Sequence, residues 1–412
     1  MGKLKIGFNG DKITAFFFQL CIIANNVFGS DTQLFGISKI ITLAFFGVVV
    51  LRIVLRGKVM LNKILLLPTL FTVYCAATML WAYNANTVLV QMVTQVQLYI
   101  LLVFTFWSMN NGATMLDYVR AIYISGLGLA LFAVARYGGL SQYVDAMENG
   151  KRMGDAIANR NTYGMVFGNA ALCAAYYMIL RKKPLHIISF VLFAFFALSS
   201  ASRKAALMIA VGTVAMAVLN YGWRRIYKTL IFGVVSLFAI SLILKLPYFG
   251  EINERIMLLF SGEQDASDRI RRDMIQYGLQ LIKEKPVHGY GIDNFSALYI
   301  TGQYSHNNYI ELMVGGGLIA LVMYYLMLGI PTLSLLTGKH KKEKFDPLHL
   351  MLFVRLGVEL GFGLAMVQLY NKNSWVLIGV LMAEAVKASR KSSTLQRENI
   401  HEIAAKNQEG TA

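Results

Sequence analysis

Runs of apolar residues roughly 18 to 23 long recur along the whole chain, and each is long enough to cross about 30 Å of hydrocarbon as a helix. They lie at approximately 13–29, 34–55, 61–81, 87–109, 116–138, 161–180, 184–200, 204–221, 229–246, 306–329, 347–369 and 373–388, about twelve spans in all. Only 15% of the 412 residues are charged. A soluble domain carries about a quarter, so this chain has too little polar surface to cover several globular cores. A soluble enzyme with a membrane anchor is therefore excluded, and the expected fold is an all-α polytopic membrane protein.

The net charge of +17 has to be mapped onto the spans before it says anything about partners. With the N-terminus inside, 22 of the 39 Lys and Arg fall in cytoplasmic segments and 12 in outer ones, the rest lying in or at the ends of spans. Half of the outer total sits in one long loop, where the positive-inside rule has less force. Both termini are expected to be cytoplasmic. The basic excess reads as a topology signal and an attraction to anionic lipid, which makes membrane lipids the partners and excludes nucleic acid.

The expected organisation is spans one to nine in 1–246, an extracytoplasmic loop in 247–305, spans ten to twelve in 306–388 and a polar, disordered tail in 389–412. Within the loop, Ser267 to Lys285 places Ile270, Met274, Tyr277 and Leu281 at helical spacing, predicting an amphipathic helix on or over the membrane domain. Pro286 ends it, and His288-Gly-Tyr-Gly291 forms a turn behind it. The other long outer loop, Gly139 to Arg160, is rich in Gly, Asn and charge. The first apolar run reads as an uncleaved span, because many more follow it. Cys21, Cys75 and Cys173 all lie in apolar runs and act as small hydrophobes.

Topology also filters the candidate chemistry. His186, His340, His349 and His401 fall at or beyond the cytoplasmic face, leaving His288 and His306 outside. His306 opens the tenth span in Ser305-His-Asn-Asn-Tyr-Ile-Glu311, where the positive end of the helix dipole disfavours the imidazolium. A neutral imidazole there can take a proton from a hydroxyl, or serve only as an interfacial cap. Arginines gather at the same face: Arg152 and Arg160 before the sixth span, Arg203 in Ser199-Ser-Ala-Ser-Arg203, and Arg269, Arg271 and Arg272 heading the amphipathic helix. Each alone could snorkel to lipid phosphate. Converging from several segments, they would suit a diphosphate. Arg355 and Glu359, one turn apart in the eleventh span, read as a mutually neutralising pair. No DxD lies on the outer face, and Walker A, GxSxG and HExxH motifs do not occur, so neither metal nor cofactor is expected; Asp31 is the one outer carboxylate that could argue otherwise.

Taken in order, Asn159-Arg-Asn161, Ser200-Ala-Ser-Arg203, Ser267-Asp-Arg269, the stretch Lys283 to Phe295 and His306-Asn-Asn-Tyr-Ile-Glu311 through Gly317-Leu318 resemble the O-antigen ligase and polysaccharide polymerase family of bacterial membrane glycosyltransferases. The resemblance covers about residues 150 to 330, and the rest by span count alone. It implies a GT-C-like enzyme of the bacterial cytoplasmic (inner) membrane that uses neither metal nor nucleotide sugar. Such an enzyme moves a glycan from an undecaprenyl-diphosphate carrier to an acceptor hydroxyl at the outer face, inverting the anomeric centre. His306 would be the general base. Arg203 and Arg269 would hold the leaving diphosphate, with Arg152, Arg160 and Arg272 as further candidates and Asn307, Asn161 and Glu311 in support. Arg160 stands where many relatives carry a small residue or proline. Lys204 replaces a more usual glycine, and either adds a phosphate contact or crowds the turn.

The favoured expectation is a polymerase of lipid-linked repeat units for exopolysaccharide, capsule or O-antigen, whose partners are the carrier-linked glycan, the acceptor glycan, a chain-length regulator and a flippase. A ligase transferring the finished glycan to lipid A-core or protein is the alternative within the family. A transporter or flippase of lipid-linked sugars is the alternative of another class, although transporters place their sites near the midplane. A metal-dependent transferase centred on Asp31 is the remaining one.

Overall fold

The computed structural model describes residues 10–31, 33–57, 62–149, 151–157, 159–221, 227, 231, 266–337 and 346–409. Among the described residues there are helices and turns and no strand. The helices are α1 (Gly10–Val27), α2 (Phe35–Arg56), α3 (Leu66–Ala77), α4 (Ala85–Asn110), α5 (Met115–Arg136), α6 (Leu140–Glu148), α7 (Arg160–Ala175), α8 (His186–Ser199) and α9 (Arg203–Tyr221). They continue with α10 (Ala266–Glu284), α11 (Asn294–Leu298), α12 (Asn308–Thr337), α13 (Pro347–Gly363) and α14 (Lys372–Glu409). A 3-10 turn precedes and follows α3, and a π-helical turn, Tyr176–Leu180, extends α7.

Seven of these helices, counting the turns that extend α3 and α7, are long and apolar enough to cross a membrane: α2, α3, α4, α5, α7, α9 and α12. The chain is an integral membrane protein of helices. The short seventh span of the sequence appears as the 14-residue α8. The expected ninth span, 229–246, and the first part of the outer loop fall outside the described residues, apart from Ile231.

Local chemistry sets the helix starts. Asn84 accepts from the backbone N–H of Asn86 and Thr87 to open α4, Thr114 and Asp117 form a capping box at α5, and Asn159 caps α7. Asp31 is spent in the same way. Its Oδ1 accepts from the N–H of Gln33 and Leu34 just ahead of α2, and its other oxygen lies 4.0 Å from Arg136 Nε. The loop expected at 139–160 contains α6, because Tyr143 and Met147, four apart, bury themselves against α5, α7 and α8. The polar tail also differs from its expected disorder. Residues 389–409 continue α14, in keeping with the strong helix formers Ala, Leu, Glu, Gln and Lys along it.

Packing sorts the buried residues into two bodies of apolar contact. One joins α1 through α4 with α12, α13 and α14; the other centres on α6, α7 and α8, and α5, α7 and α9 contribute residues to both. A third, smaller cluster lies at one end, where Met274 and Leu281 of α10 meet Tyr290, Phe295, Ile310 and Val314. The expected amphipathic helix is thus present, with one change: Ile270 is exposed and takes no part in the buried stripe.

The feature that fixes this end is a break in α12. Gly317 has φ 64° and ψ −164°, a backbone state open essentially to glycine alone, so α12 is two helices that meet at a kink. The turn after α10 enters the break. Tyr290 and Gly291 donate their N–H to the carbonyls of Val314 and Gly315 at 2.7 and 2.8 Å, and Leu318 and Ile319 donate to Pro286 and Val287 at 2.9 and 3.3 Å. Tyr74 Oη donates to the Gly316 carbonyl at 2.7 Å. The turn is itself tied to the α3–α4 connection, since Tyr83 N–H donates to the Tyr290 carbonyl at 2.8 Å and Trp81 Nε1 to that of His288 at 3.0 Å.

Candidate active site

His306 sits two residues ahead of α12, in the left-handed region at φ 55°. Such a conformation is uncommon for a residue with a Cβ and needs to be held. The holding group is Glu311, buried to 1% exposure. One of its carboxylate oxygens accepts from Ser305 N–H at 3.0 Å and from Ser305 Oγ at 2.6 Å. On the other side of His306, Asn307 Oδ1 caps α12 by accepting from the N–H of Tyr309 and Ile310, while its amide nitrogen donates to the Leu364 carbonyl at 3.1 Å. Asn308 Oδ1 accepts from the N–H of Gln368 and Leu369, both at 2.8 Å. The His306 loop is thereby stitched to the connection between α13 and α14. Of the expected supporting residues, Glu311 braces the segment before His306 through Ser305, and Asn307 braces the segment after it.

The half-buried ring lies with its centroid 4.1 Å from that of Tyr304. Burial pushes its pKa down to about 4, and the positive charges of Arg271 and then Lys204 push in the same direction. The sequence points to the same direction through the helix dipole; in the structure burial and the two neighbouring cations are what favour the neutral imidazole.

Those two cations reach His306 from separate helices. Arg271 comes from α10 and Lys204 from the first turn of α9, beside Arg203. Lys204 Nζ donates to the Ala365 carbonyl, next to the residue that receives Asn307. The turn leading into Arg203 is braced from α7 and the α6–α7 connection. Ala201 has φ 50°, Arg152 Nη2 donates to its carbonyl at 3.0 Å, and Ser202 Oγ donates to Asn161 Oδ1 at 3.2 Å. Behind it, Tyr143 Oη bonds Ser199 Oγ at 2.6 Å and Tyr163 Oη at 3.0 Å.

The arginines expected from the sequence therefore separate. Arg203 lies beside Lys204 and acts on its charge, while the charges that act on His306 are those of Arg271 and Lys204. Arg152 and Asn161 shape the turn that carries it, Arg160 pairs with Asp155 at 3.1 Å, and Arg269 and Arg272 project from the exposed side of α10. The sequence missed Arg271 as the member facing His306, although the signal was there: Arg271, Met274, Gly278 and Leu281 form one helical row, and the last three are buried. Arg355 and Glu359 act on one another's charge as expected, and each has a further partner: the guanidinium bonds Asn169 and Tyr118, and Glu359 accepts from Ser374.

From Lys204 an apolar groove of about 630 Å³ runs between α9 and α13, walled by Leu207, Val211, Leu219, Phe353 and Leu364. One end of the groove is thus cationic and the remainder fits hydrocarbon. Among the described residues no three His, Cys, Asp or Glu side chains gather as metal ligands.

Residues 188–325 match the family model of O-antigen ligase, a segment that contains Arg203, Lys204, Arg271, His306 and Glu311. No curated protein matches the chain. The match supports the O-antigen ligase and polymerase family, and with it a membrane enzyme of the ligase or polymerase type.

Proposed function

Taking the chain as a membrane enzyme of the O-antigen ligase or polymerase type, we propose that it transfers a glycan from an undecaprenyl-diphosphate carrier to a sugar hydroxyl, as a polymerase of lipid-linked repeat units. The observation that carries this reading is Lys204, at the mouth of an apolar groove, with the charges of Arg271 and Arg203 acting on it and the neutral imidazole of His306 within reach of Lys204 and Arg271. A polyprenyl diphosphate has matching parts. Its hydrocarbon lies in the groove, its diphosphate meets the cations, and its anomeric carbon is presented towards His306.

In the proposed reaction His306 accepts the proton of the acceptor hydroxyl as that oxygen attacks the anomeric carbon. The bond to the diphosphate oxygen breaks, and the negative charge that grows there is stabilised by fixed guanidinium and ammonium groups. Attack opposite the leaving group inverts the anomeric centre, and no step calls for a metal. The inner membrane, both termini cytoplasmic, twelve spans with the 247–305 loop outside, and a chain-length regulator and flippase as partners belong to the same proposal. Ligation onto lipid A-core or protein uses the same chemistry and differs only in acceptor.

The test is to replace the cell's own copy by Arg271→Gln, with Arg272→Gln as the comparison. Polymerisation predicts single repeat units accumulating on the carrier in the first variant and normal chains in the second. Long chains stranded on the carrier would establish ligation instead, and normal chains in both would remove Arg271 from the site. The pH profile gives a second prediction. Neutral His306 is the active form, so the wild-type rate should hold constant down through mildly acidic pH and fall only as pH drops towards about 4. Removing the Arg271 charge raises the imidazole pKa, which should move the acid limb to higher pH. An acid limb that stays in place would count against the pairing of the two residues.

A further inference from the structure

A second cavity, of about 460 Å³, lies between α2, the start of α3 and the later part of α4. It is at the far end of the bundle from His306. Asn84, at the start of α4, bonds Asn294 beside the site, and Trp107 stands about 35 Å further along that helix. Four features define the cavity. Leu66 and Phe104 give it apolar walls, and α2 beside it turns Val50, Leu51, Val54 and Leu55 outward, 49–70% exposed, as a lipid-facing surface. Thr69 and Tyr99, hydrogen-bonded to one another at 2.8 Å, supply a polar step within it.

The third feature is Trp107, which lines the cavity, is only 3% exposed and has a buried Nε1–H without a hydrogen-bond partner. A dehydrated donor of that kind is costly unless an acceptor comes to it. The fourth is charge. The Arg56 guanidinium lies 5.9 Å over the Trp107 ring, and Arg56 and Arg52 share the single carboxylate of Asp11, leaving one positive charge in excess. Lys63 adds a second at the rim.

We propose that this cavity binds one anionic glycerophospholipid. An acyl chain lies along the Leu66 and Phe104 walls, an ester or phosphate oxygen accepts from Trp107 Nε1–H, and the Arg56–Lys63 rim selects a headgroup with net negative charge. The lipid-facing α2 makes a bilayer lipid the occupant. The positive excess favours an anionic lipid over a zwitterionic one, by about fivefold for each basic group near the surface. The site does not depend on the glycan-transfer reading, because it shares no residue with the His306 cluster.

The test uses the full chain reconstituted in vesicles of phosphatidylcholine with a minor share of phosphatidylglycerol, extracted in mild detergent and weighed by native mass spectrometry. The wild type should retain one phosphatidylglycerol in preference to phosphatidylcholine. Lys63→Gln, at an exposed position, should lower that retention by about fivefold. Trp107→Phe should lower it too, and a melting curve shows whether that variant folds; if it does not, Lys63→Gln decides. Equal retention of both lipids, or retention unchanged in Lys63→Gln, overturns the proposal. So does complete displacement of the bound lipid by added undecaprenyl phosphate, which would assign the cavity to the carrier, or a stable dimer with no bound lipid.

Discussion

His306→Ala is expected to lower the turnover of purified enzyme on a lipid-linked repeat unit by two to four orders of magnitude, the usual range for a lost general base (roughly 10²–10⁴). The loss should fall on kcat. Arg203, Lys204 and Arg271 stay in place and continue to hold the leaving group, so KM for the carrier-linked donor should change little. In cells the same substitution should leave single units on the carrier and no long chains. His306→Gln separates shape from basicity, since it keeps a polar side chain but accepts no proton at working pH. Turnover close to wild type in both variants would transfer the role to another group, with Tyr304, whose ring lies against the imidazole, the next to examine.

The largest structural effect is expected at Gly317. With φ at 64° and ψ at −164°, any side chain there adds backbone strain of about 1–3 kcal/mol. A Cβ would also overlap the Val287 carbonyl, so the inserted turn must leave. The four backbone hydrogen bonds between 286–291 and 314–319 would leave with it. Gly317→Ala should therefore destabilise the protein severely, reducing its amount in the membrane and lowering its melting temperature in detergent. Gly329→Ala is the internal control: it lies in the same helix, and a Cβ there meets nothing within 4 Å. Equal melting of the two variants would show that the inserted turn contributes little.

Much of this could be read before any coordinate. Apolar run length marks the helical membrane class, and motif order points to His306 and to the arginines at 203 and 269–272 as candidates. The choice among those arginines was less legible. Arg269, Arg271 and Arg272 are chemically equivalent in a sequence, and on a helix they point about 100–300° apart, so only the buried row through Met274 and Leu281 identifies Arg271. Lys204 was noticed as an unusual residue, but its value depends on α10 and the α13–α14 connection arriving beside it, a long-range convergence without local signature. The run Gly315-Gly-Gly317 has no local signature beyond its place in a motif. Its physical cause is a helix that opens to admit residues 286–291.

The interrupted α12 bears on how the protein is made. Half-helices ending at Gly317 expose the carbonyls of Val314, Gly315 and Gly316 and the N–H of Leu318 and Ile319, and hydrocarbon offers these groups no partner, at a cost of several kcal/mol each. Their partners come from Tyr74 and from residues 286–291, all synthesised earlier. During insertion, then, the upstream turn and α3 have to be waiting when 308–337 emerges. Ribosome pausing or a deletion that delays the upstream turn should trap α12 as an unlodged segment open to quality-control proteases, even though its apolar length alone would pass it into the bilayer.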